Sequence, residues 1–119
     1  MATKTKLSKN ALVIAEDDSK EEVRLDYNTL RRAVLTLRAV NHPLRKQIIT
    51  LLETQKKMPV TEIYENLKLE QSVASQHLAI LRRAEIVKTE REGKYIYYSV
   101  NKRRIGQINE IIQSLAQMD

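Results

Sequence analysis

Residues 61–83 read TEIYENLKLEQSVASQHLAILRR, and this stretch decides the fold that the sequence predicts. Its first part is typical of a short helix that Thr61 caps and that ends near Leu67, with Ile63 facing inward. Residues 68–70 are few enough for a tight connection, and a longer helix is predicted from Gln71 to about Arg83. The predicted buried face of this longer helix carries Ala74, Leu78 and Leu81. Two helices joined in this way have the layout of a helix-turn-helix.

Downstream, the pattern changes from helical spacing to alternation. Residues 86–91 and 94–100 are rich in Val, Ile, Thr and Tyr, and Glu92-Gly93 lies between them, which predicts a β-hairpin. The predicted tip carries two bases, Arg91 and Lys94. A basic hairpin that follows a helix-turn-helix predicts a winged helix. A last helix is expected from about Lys102, with an apolar stripe of Ile105, Ile108, Ile112 and Leu115 that Ile111 widens.

Upstream, two more helices are predicted. A heptad-like seam marks the first of them and consists of Val23, Tyr27, Leu30, Val34 and Leu37. Asn41-His42-Pro43 breaks the pattern, and Pro43 suits the first turn of the next helix, beside His42 as a helix-start residue. Residues 56–59 are expected to form a loop. The predicted fold is therefore mainly α with a β-hairpin wing, in the order α-α-α-α-β-β-α.

The N-terminal residues differ in character. Residues 1–20 mix charged and small polar side chains with little periodicity, so we expect a flexible N-terminal arm, with a short helical turn near Leu12. Residues 21–119 are then predicted to form one winged helix domain for DNA binding and dimerisation.

Composition narrows the function. The formal net charge is +6, and residues 31–119 carry sixteen bases against nine acids, which suits a polyanionic partner. The absence of cysteine excludes thiolate metal sites and thiol redox switches. The chain also shows no nucleophile–base pair, and its two glycines cannot build a Gly-rich phosphate loop. We expect a cytoplasmic protein that is not an enzyme and has no membrane segment and no cofactor.

Four motifs in order carry a family resemblance. They are NHPLR at residues 41–45, LEQSVASQHL at 69–78, LRRAEIV at 81–87 and REGKYIYY at 91–98. Together they resemble the ArsR/SmtB family of winged helix-turn-helix repressors, and within it the cysteine-free, NolR-like branch. Lys68 and Glu85 stand where that family usually has glycine, so a positive φ at either position costs about 1 kcal/mol. Glu70 replaces the usual serine cap.

The resemblance implies a DNA-binding site. The N-terminal part of the second helix of a helix-turn-helix enters the major groove. The base-reading positions of the family correspond to Gln71, Ser72, Ser75 and Gln76, and a Val73 methyl suits a thymine methyl. The whole set predicted to bind DNA is Gln71, Ser72, Val73, Ser75, Gln76, His77, Arg82, Arg91 and Lys94. Further phosphate contacts are expected from Arg45, Lys46 and Arg83. The alternative for each of these residues is an ordinary solvated position.

The family also pairs its first and last helices between subunits. The predicted dimerisation set is Val23, Tyr27, Leu30, Val34, Leu37, Ile105, Ile108, Ile112 and Leu115. A two-fold dimer prefers an inverted repeat in double-stranded DNA. The resemblance also implies where a metal site would lie, since metal-sensing members use cysteines of the third helix or Asp, His and Glu of the last helix. Residues 61–67 lack cysteine and the last helix offers only Glu110 and Asp119, so no metal ion is expected.

These observations predict a sequence-specific transcriptional regulator, a homodimeric repressor of an inverted-repeat operator without a metal or thiol sensing site. The alternatives are a winged helix that binds protein and a nucleoid-type DNA-binding protein. Control by an organic ligand, by a protein partner or by abundance alone stays open.

Overall fold

The computed structural model describes residues 3–7, 9–16 and 21–117. They fall into two compact units, residues 1–36 and residues 37–119. In chain order the elements are β1 (Thr3–Leu7), β2 (Ala11–Glu16), β3 (Glu22–Asp26), α1 (Tyr27–Val40), α2 (Pro43–Gln55), β4 (Met58–Pro59), α3 (Val60–Asn66), α4 (Gln71–Arg83), β5 (Val87–Glu92), β6 (Tyr95–Val100) and α5 (Lys102–Ala116).

The first unit contains a three-stranded antiparallel sheet in the order β1-β2-β3. Within it Leu12 lies opposite Leu25, and Ile14 lies opposite Val23. The helical turn expected near Leu12 is therefore wrong. Val13 and Ile14 are β-branched and favour extended backbone, and β3 supplies the hydrogen-bonding partner that β2 needs. The flexibility of residues 1–20 and a domain boundary at residue 20 stay predictions.

Helix α1 begins later than the apolar seam predicted. The Asp26 side chain accepts a hydrogen bond from the Thr29 amide at 3.0 Å, which is the N-cap arrangement. This hydrogen bond from Thr29 lowers the pKa of Asp26. Val23 consequently lies in β3 rather than on the helix, with 67% of its surface exposed.

The second unit is a winged helix-turn-helix, which confirms the predicted fold class. Helices α2 to α5 and the sheet β4-β6-β5 surround one apolar core. The buried residues of this core are Ala39, Ile48, Leu52, Met58, Ile63, Leu78, Leu81, Ile86, Val87 and Ile108. Helix α4 has the bounds expected from the sequence, and its predicted inward face is the buried one.

Two local predictions between α2 and α3 are wrong. Met58–Pro59 is a short strand that pairs with Tyr97 and Tyr98, rather than part of a loop. β4 lies at the edge of its sheet, where proline is tolerated because no ladder hydrogen bond needs its missing N–H. Thr61 is not the cap of α3, because the extended Pro59 already precedes a helix that begins at Val60.

The ends of α3 and α4 share one termination motif. After α4, the Glu85 amide donates to the Arg82 carbonyl at 2.9 Å, and the Ile86 amide donates to the Leu81 carbonyl at 2.9 Å. This pair of bonds is a Schellman motif, and its hydrophobic contact is supplied by two core residues, Ile86 and Leu81. Glu85 has a φ of 62°, so it adopts the left-handed conformation whose cost at this position is about 1 kcal/mol.

The turn of the helix-turn-helix is built in the same way. The Lys68 amide donates to the Glu65 carbonyl at 3.3 Å, and the Leu69 amide donates to the Tyr64 carbonyl at 2.8 Å. Lys68 has a φ of 55°, so both residues that stand in glycine positions of the family pattern lie in the left-handed region. The turn into α4 therefore keeps its geometry at some cost in conformational energy.

A glycine at residue 85 should stabilise the protein. Glu85→Gly removes a left-handed strain of about 1 kcal/mol and adds some unfolded-state entropy, so we expect a net gain of up to about 1 kcal/mol. The control is Arg83→Gly in the last turn of α4, which should lose about 1 kcal/mol because its backbone is helical. Urea unfolding of both variants measures the difference. A loss of stability in Glu85→Gly would contradict the strain argument.

Candidate nucleic-acid interface

Helix α4 has an exposed polar face opposite a buried apolar face. Ala74, Leu78 and Leu81 are buried on the inward side of the helix. The outward side exposes four polar residues that were predicted to read bases, Gln71, Ser72, Ser75 and Gln76. Val73 is half-buried beside them. Buried apolar side chains fix the helix, so its polar side chains keep a defined direction towards solvent.

The charges along α4 suit an anionic partner. Its first turn carries no acidic residue, and Arg82 and Arg83 in its last turn are both exposed. Glu70 precedes the helix and makes no capping hydrogen bond through its side chain. The free amides of the first turn are therefore not occupied by a side chain of residue 70. The exposed glutamines, serines and arginines together form a surface that can hydrogen-bond bases and phosphates.

Arg45 does not lie on this surface, which corrects the expected phosphate contact. Only 9% of the residue is exposed. Its guanidinium donates from Nε to the Ala39 carbonyl at 2.6 Å and from Nη2 to the Arg38 carbonyl at 3.0 Å. Its Nη1 lies 3.2 Å from Nδ1 of His77. Lys46, one position further along α2, is exposed as predicted.

The two histidines lie side by side. Their ring centroids are 4.9 Å apart. The structure confirms His42 as the start of α2, because its Nδ1 accepts a hydrogen bond from the Leu44 amide at 3.1 Å. Burial lowers the pKa of His77, and the nearby His42 and Arg45 lower it further. His77 is half-buried and bound to α2, so it supports the position of α4 as well as lying beside its polar face.

The hairpin carries the second group of predicted contacts. Gly93 has a φ of 62° at the tip between β5 and β6, and Arg91 and Lys94 beside it are exposed. Nε of Arg91 donates to the Gly93 carbonyl at 3.1 Å, and this hydrogen bond holds the Arg91 side chain along the turn. The β5–β6 hairpin thus exposes two cationic side chains at its tip, as does a wing that contacts the DNA backbone.

Sequence reasoning missed a residue that holds this wing. Lys57, just before β4, forms an ion pair with Glu92 and lies with Nζ 5.1 Å from the centre of the Tyr97 ring. The hydrogen bond with Glu92 raises the pKa of Lys57. The contact spans 35 positions of sequence, so no local pattern could have indicated it. It pairs Glu92, the acidic residue of the tip, with a cation from outside the hairpin, although the Glu92 side chain stays 43% exposed beside Arg91 and Lys94.

Helix α5 exposes part of its apolar stripe. Ile111, Ile112 and Leu115 are 55%, 39% and 66% exposed. Ile108 is instead buried in the core, and Ile105 packs against that core. Both side chains therefore have partners within their own chain, and their contact with a second subunit stays a prediction.

Helix α1 shows a similar division. Tyr27, Leu30 and Leu35 are exposed, and Val34 is half-buried. Leu37 is half-buried and packs against the core of the second unit, and its contact with a second subunit stays a prediction. The apolar residues with the most surface left for another molecule are the exposed ones of α1 and those near the end of α5.

Other kinds of site find no support in the described part of the chain. Among residues 3–7, 9–16 and 21–117, no group of three or more His, Cys, Asp or Glu residues could hold a metal ion. In the same residues, no helix is both long enough and apolar enough to cross a membrane.

Comparison with known proteins agrees with this geometry. Residues 42–89 match the model of the arsR family of bacterial regulatory proteins. The transcriptional repressor PagR of Bacillus anthracis is 34% identical over 92 residues, which are 77% of this chain and 92% of that protein. The transcriptional activator HlyU of Vibrio cholerae is 33% identical over 84 residues, 71% of this chain and 77% of that one.

Solved structures show the same fold. The crystal structure of NolR from Sinorhizobium fredii is similar with a TM-score of 0.61 and 28% identity, over 78% of this chain and 92% of that chain. A homodimeric winged helix-turn-helix DNA-binding domain, Mb0332 from Mycobacterium bovis, has a TM-score of 0.60 and 25% identity over 75% of this chain and 82% of that one. These relatives are transcriptional regulators, which are not enzymes.

Proposed function

This chain belongs to the arsR family of bacterial regulatory proteins, and on that premise we propose that it is a homodimeric repressor of an inverted-repeat operator. The polar face of α4 reads bases in the major groove, and the tip of the β5–β6 wing contacts the DNA backbone. The single observation that carries this proposal is the outward row of Gln71, Ser72, Ser75 and Gln76 on a helix whose other side is buried.

The chemistry of that row suits base recognition. In a two-pronged contact with adenine, a glutamine amide donates to N7 and accepts from the N6 amino group. A serine hydroxyl can both donate and accept. None of these four residues is charged, so they select by hydrogen-bond pattern rather than by attraction to phosphate. The arginines at the end of α4 and the two cationic side chains of the wing, Arg91 and Lys94, supply the attraction to phosphate.

Dimerisation is proposed from two exposed apolar groups and from the homodimeric relative Mb0332. In the proposed dimer, α5 buries Ile111, Ile112 and Leu115, and α1 buries Tyr27 and Leu30. A two-fold pair places two recognition helices about one DNA turn apart, which suits an inverted repeat.

The repressor role is proposed from PagR, which is named a repressor, although HlyU is named an activator. We also propose that binding is not controlled by a metal ion at a cysteine or histidine cluster, because the described residues offer no such cluster. The same regulator could answer to an organic ligand or to its own abundance.

Selecting bound fragments from genomic DNA with the purified protein tests the proposal. The expected result is one inverted repeat whose half-sites are separated by about one helical turn. A repressor then lowers expression of a reporter that carries this repeat in its promoter. Recovery of fragments without any shared sequence would favour a nucleoid-type protein. Recovery of no DNA would favour a protein-binding winged helix.

The wing should contribute affinity without sequence preference. Arg91→Ala combined with Lys94→Ala removes two cations from each subunit, which makes four in the proposed dimer, so we expect weaker binding to all DNA sequences and a salt dependence that is shallower by up to about four released ions. The measurement is the slope of log Kd against log salt concentration. Lys56→Ala combined with Lys102→Ala, two exposed lysines outside α4 and the wing, is the matched control. An unchanged slope in the wing variant would remove the wing from the interface.

A further inference from the structure

Arg45 is a buried cation without a carboxylate among its hydrogen-bond partners. Its guanidinium has three hydrogen-bond partners in the described residues: the carbonyl of Arg38, the carbonyl of Ala39 and Nδ1 of His77. The carbonyls belong to the last turn of α1, where helix carbonyls lack partners within the helix. One side chain of α2 therefore ties the C-terminal end of α1 to the recognition helix α4.

The chemistry of arginine decides the state of the histidine. A guanidinium has donors but no acceptor and stays protonated in proteins. A hydrogen bond at 3.2 Å to Nδ1 of His77 therefore requires that Nδ1 accept, so the ring is neutral and its proton lies on Nε2. Nε2 of His77 has no hydrogen-bond partner among the described residues. Every buried side-chain nitrogen and oxygen of those residues does have a partner, so Nε2 is not buried and reaches solvent.

We propose that Arg45 is a positioning residue for DNA binding: it fixes His77 as the neutral Nε2–H form, so that α4 offers a hydrogen-bond donor to a DNA backbone phosphate. The proposal rests on the proposed function, because it requires DNA along the polar face of α4. His77 follows Gln76 at the edge of that face, where backbone contacts set the register of a recognition helix.

Acid should then weaken the arrangement. Protonation of His77 places an N–H at Nδ1 against the Arg45 donor, so two cations and two donors face each other. The titratable and charged groups that act on His77 are His42 and Arg45, and each disfavours a charged ring. An ordinary surface histidine near phosphate would behave in the opposite way, because its positive charge would strengthen binding as the pH falls.

The first test uses the free protein, so it does not depend on DNA. Nitrogen NMR of the two histidine rings reports which nitrogen carries the proton, and His77→Gln identifies the signals of His77. We expect a His77 ring in the Nε2–H form alone at about pH 7.5, with a titration midpoint below that of an ordinary histidine. A ring with its proton on Nδ1, or a mixture of both forms, overturns the proposal.

Arg45 variants test the cause. Arg45→Met should produce a mixture of both His77 forms and raise the titration midpoint. Arg82→Met, which removes an exposed arginine of α4, the helix that carries His77, should change neither. If Arg45→Met does not fold, Arg45→Gln keeps a polar side chain whose amide can donate or accept, so it no longer requires Nδ1 of His77 to accept and should also yield mixed forms. A ring that is unchanged in a folded Arg45 variant contradicts the proposal.

The second test uses DNA and a matched pair of variants. Glutamine places its amide nitrogen near the position of Nε2, whereas the shorter asparagine does not reach it. His77→Gln should therefore bind within a few-fold of the wild type, and His77→Asn should lose about tenfold or more in affinity. Between about pH 7.5 and about pH 5.5 at fixed salt, the wild type should lose affinity and His77→Gln should not.

The two failures are distinguishable. If the wild type binds no DNA at any pH, the proposed function fails, and the NMR result still decides the state of His77. If the wild type binds its operator more tightly in acid, or if His77→Gln and His77→Asn bind equally well, the positioning role is wrong and the proposed function stands.

Discussion

Replacing Gln71 and Gln76 by alanine is expected to remove most of the sequence preference of DNA binding. Both side chains are exposed on the outward face of α4, and neither supports the core. A good two-pronged base contact contributes about 1–3 kcal/mol of discrimination, so losing the four contacts of a dimer should cost about 4 kcal/mol or more, roughly 10³-fold in Kd for the operator. Fluorescence anisotropy with operator DNA and with a scrambled sequence measures the effect.

The double glutamine variant has a matched control. Gln55→Ala combined with Gln117→Ala removes two exposed glutamines that lie outside α4 and the wing, at the ends of α2 and α5. This control should bind operator DNA like the wild type. Binding to scrambled DNA should change little in either protein, because phosphate contacts supply it. If the variant at Gln71 and Gln76 keeps its preference for the operator, α4 does not read the bases.

Charging the exposed end of α5 is expected to separate the dimer. Ile112→Glu combined with Leu115→Glu places two carboxylates in the proposed subunit interface, where burying unpaired charge is costly. Two linked half-sites raise affinity by about 10²–10⁴ over one, so operator binding should fall by a factor in that range. Analytical ultracentrifugation measures the oligomeric state, and the same anisotropy assay measures operator affinity.

The folding of the single chain should survive this change. Ile112 and Leu115 are 39% and 66% exposed, so a monomer can solvate glutamates at both positions. Asn109→Glu combined with Gln113→Glu adds the same charge at exposed polar positions of α5 and is expected to stay dimeric. A dimer that persists in the Ile112 and Leu115 variant would place the interface elsewhere.

The recognition helix could be predicted from the sequence to its last residue. Its apolar spacing, its turn and its flanking hairpin all specify the same local structure, and the core of the folded chain uses the same residues. The cost of a positive φ at Lys68 and Glu85 could be stated from the sequence, because both fill positions where the family pattern has glycine, but only the folded chain shows that both residues adopt it.

The start of α1 could not be predicted from apolar spacing alone. Val23 fits the helical seam, yet it pairs with Ile14 in a sheet, and the capping side chain of Asp26 determines where the helix begins. Strand pairing is a long-range property, and a short run such as residues 11–16 carries no sign of its partner.

The contacts that support the site were also beyond sequence reasoning. An arginine such as Arg45 is expected at the surface, and only the folded chain shows that it lies between α1 and His77. Lys57 likewise reaches Glu92 across the sheet. A pattern shows which residues are charged, whereas tertiary packing decides which of those charges meet.

Whether α4 reads bases is decided by the ratio of two dissociation constants at one salt concentration. One is for the inverted repeat recovered by selection, and the other is for the same bases in scrambled order. If α4 reads bases as a two-fold pair, the repeat should bind at least about 10³ times more tightly. A ratio close to one would show that this protein holds DNA by charge alone, and the account given for α4 would be wrong.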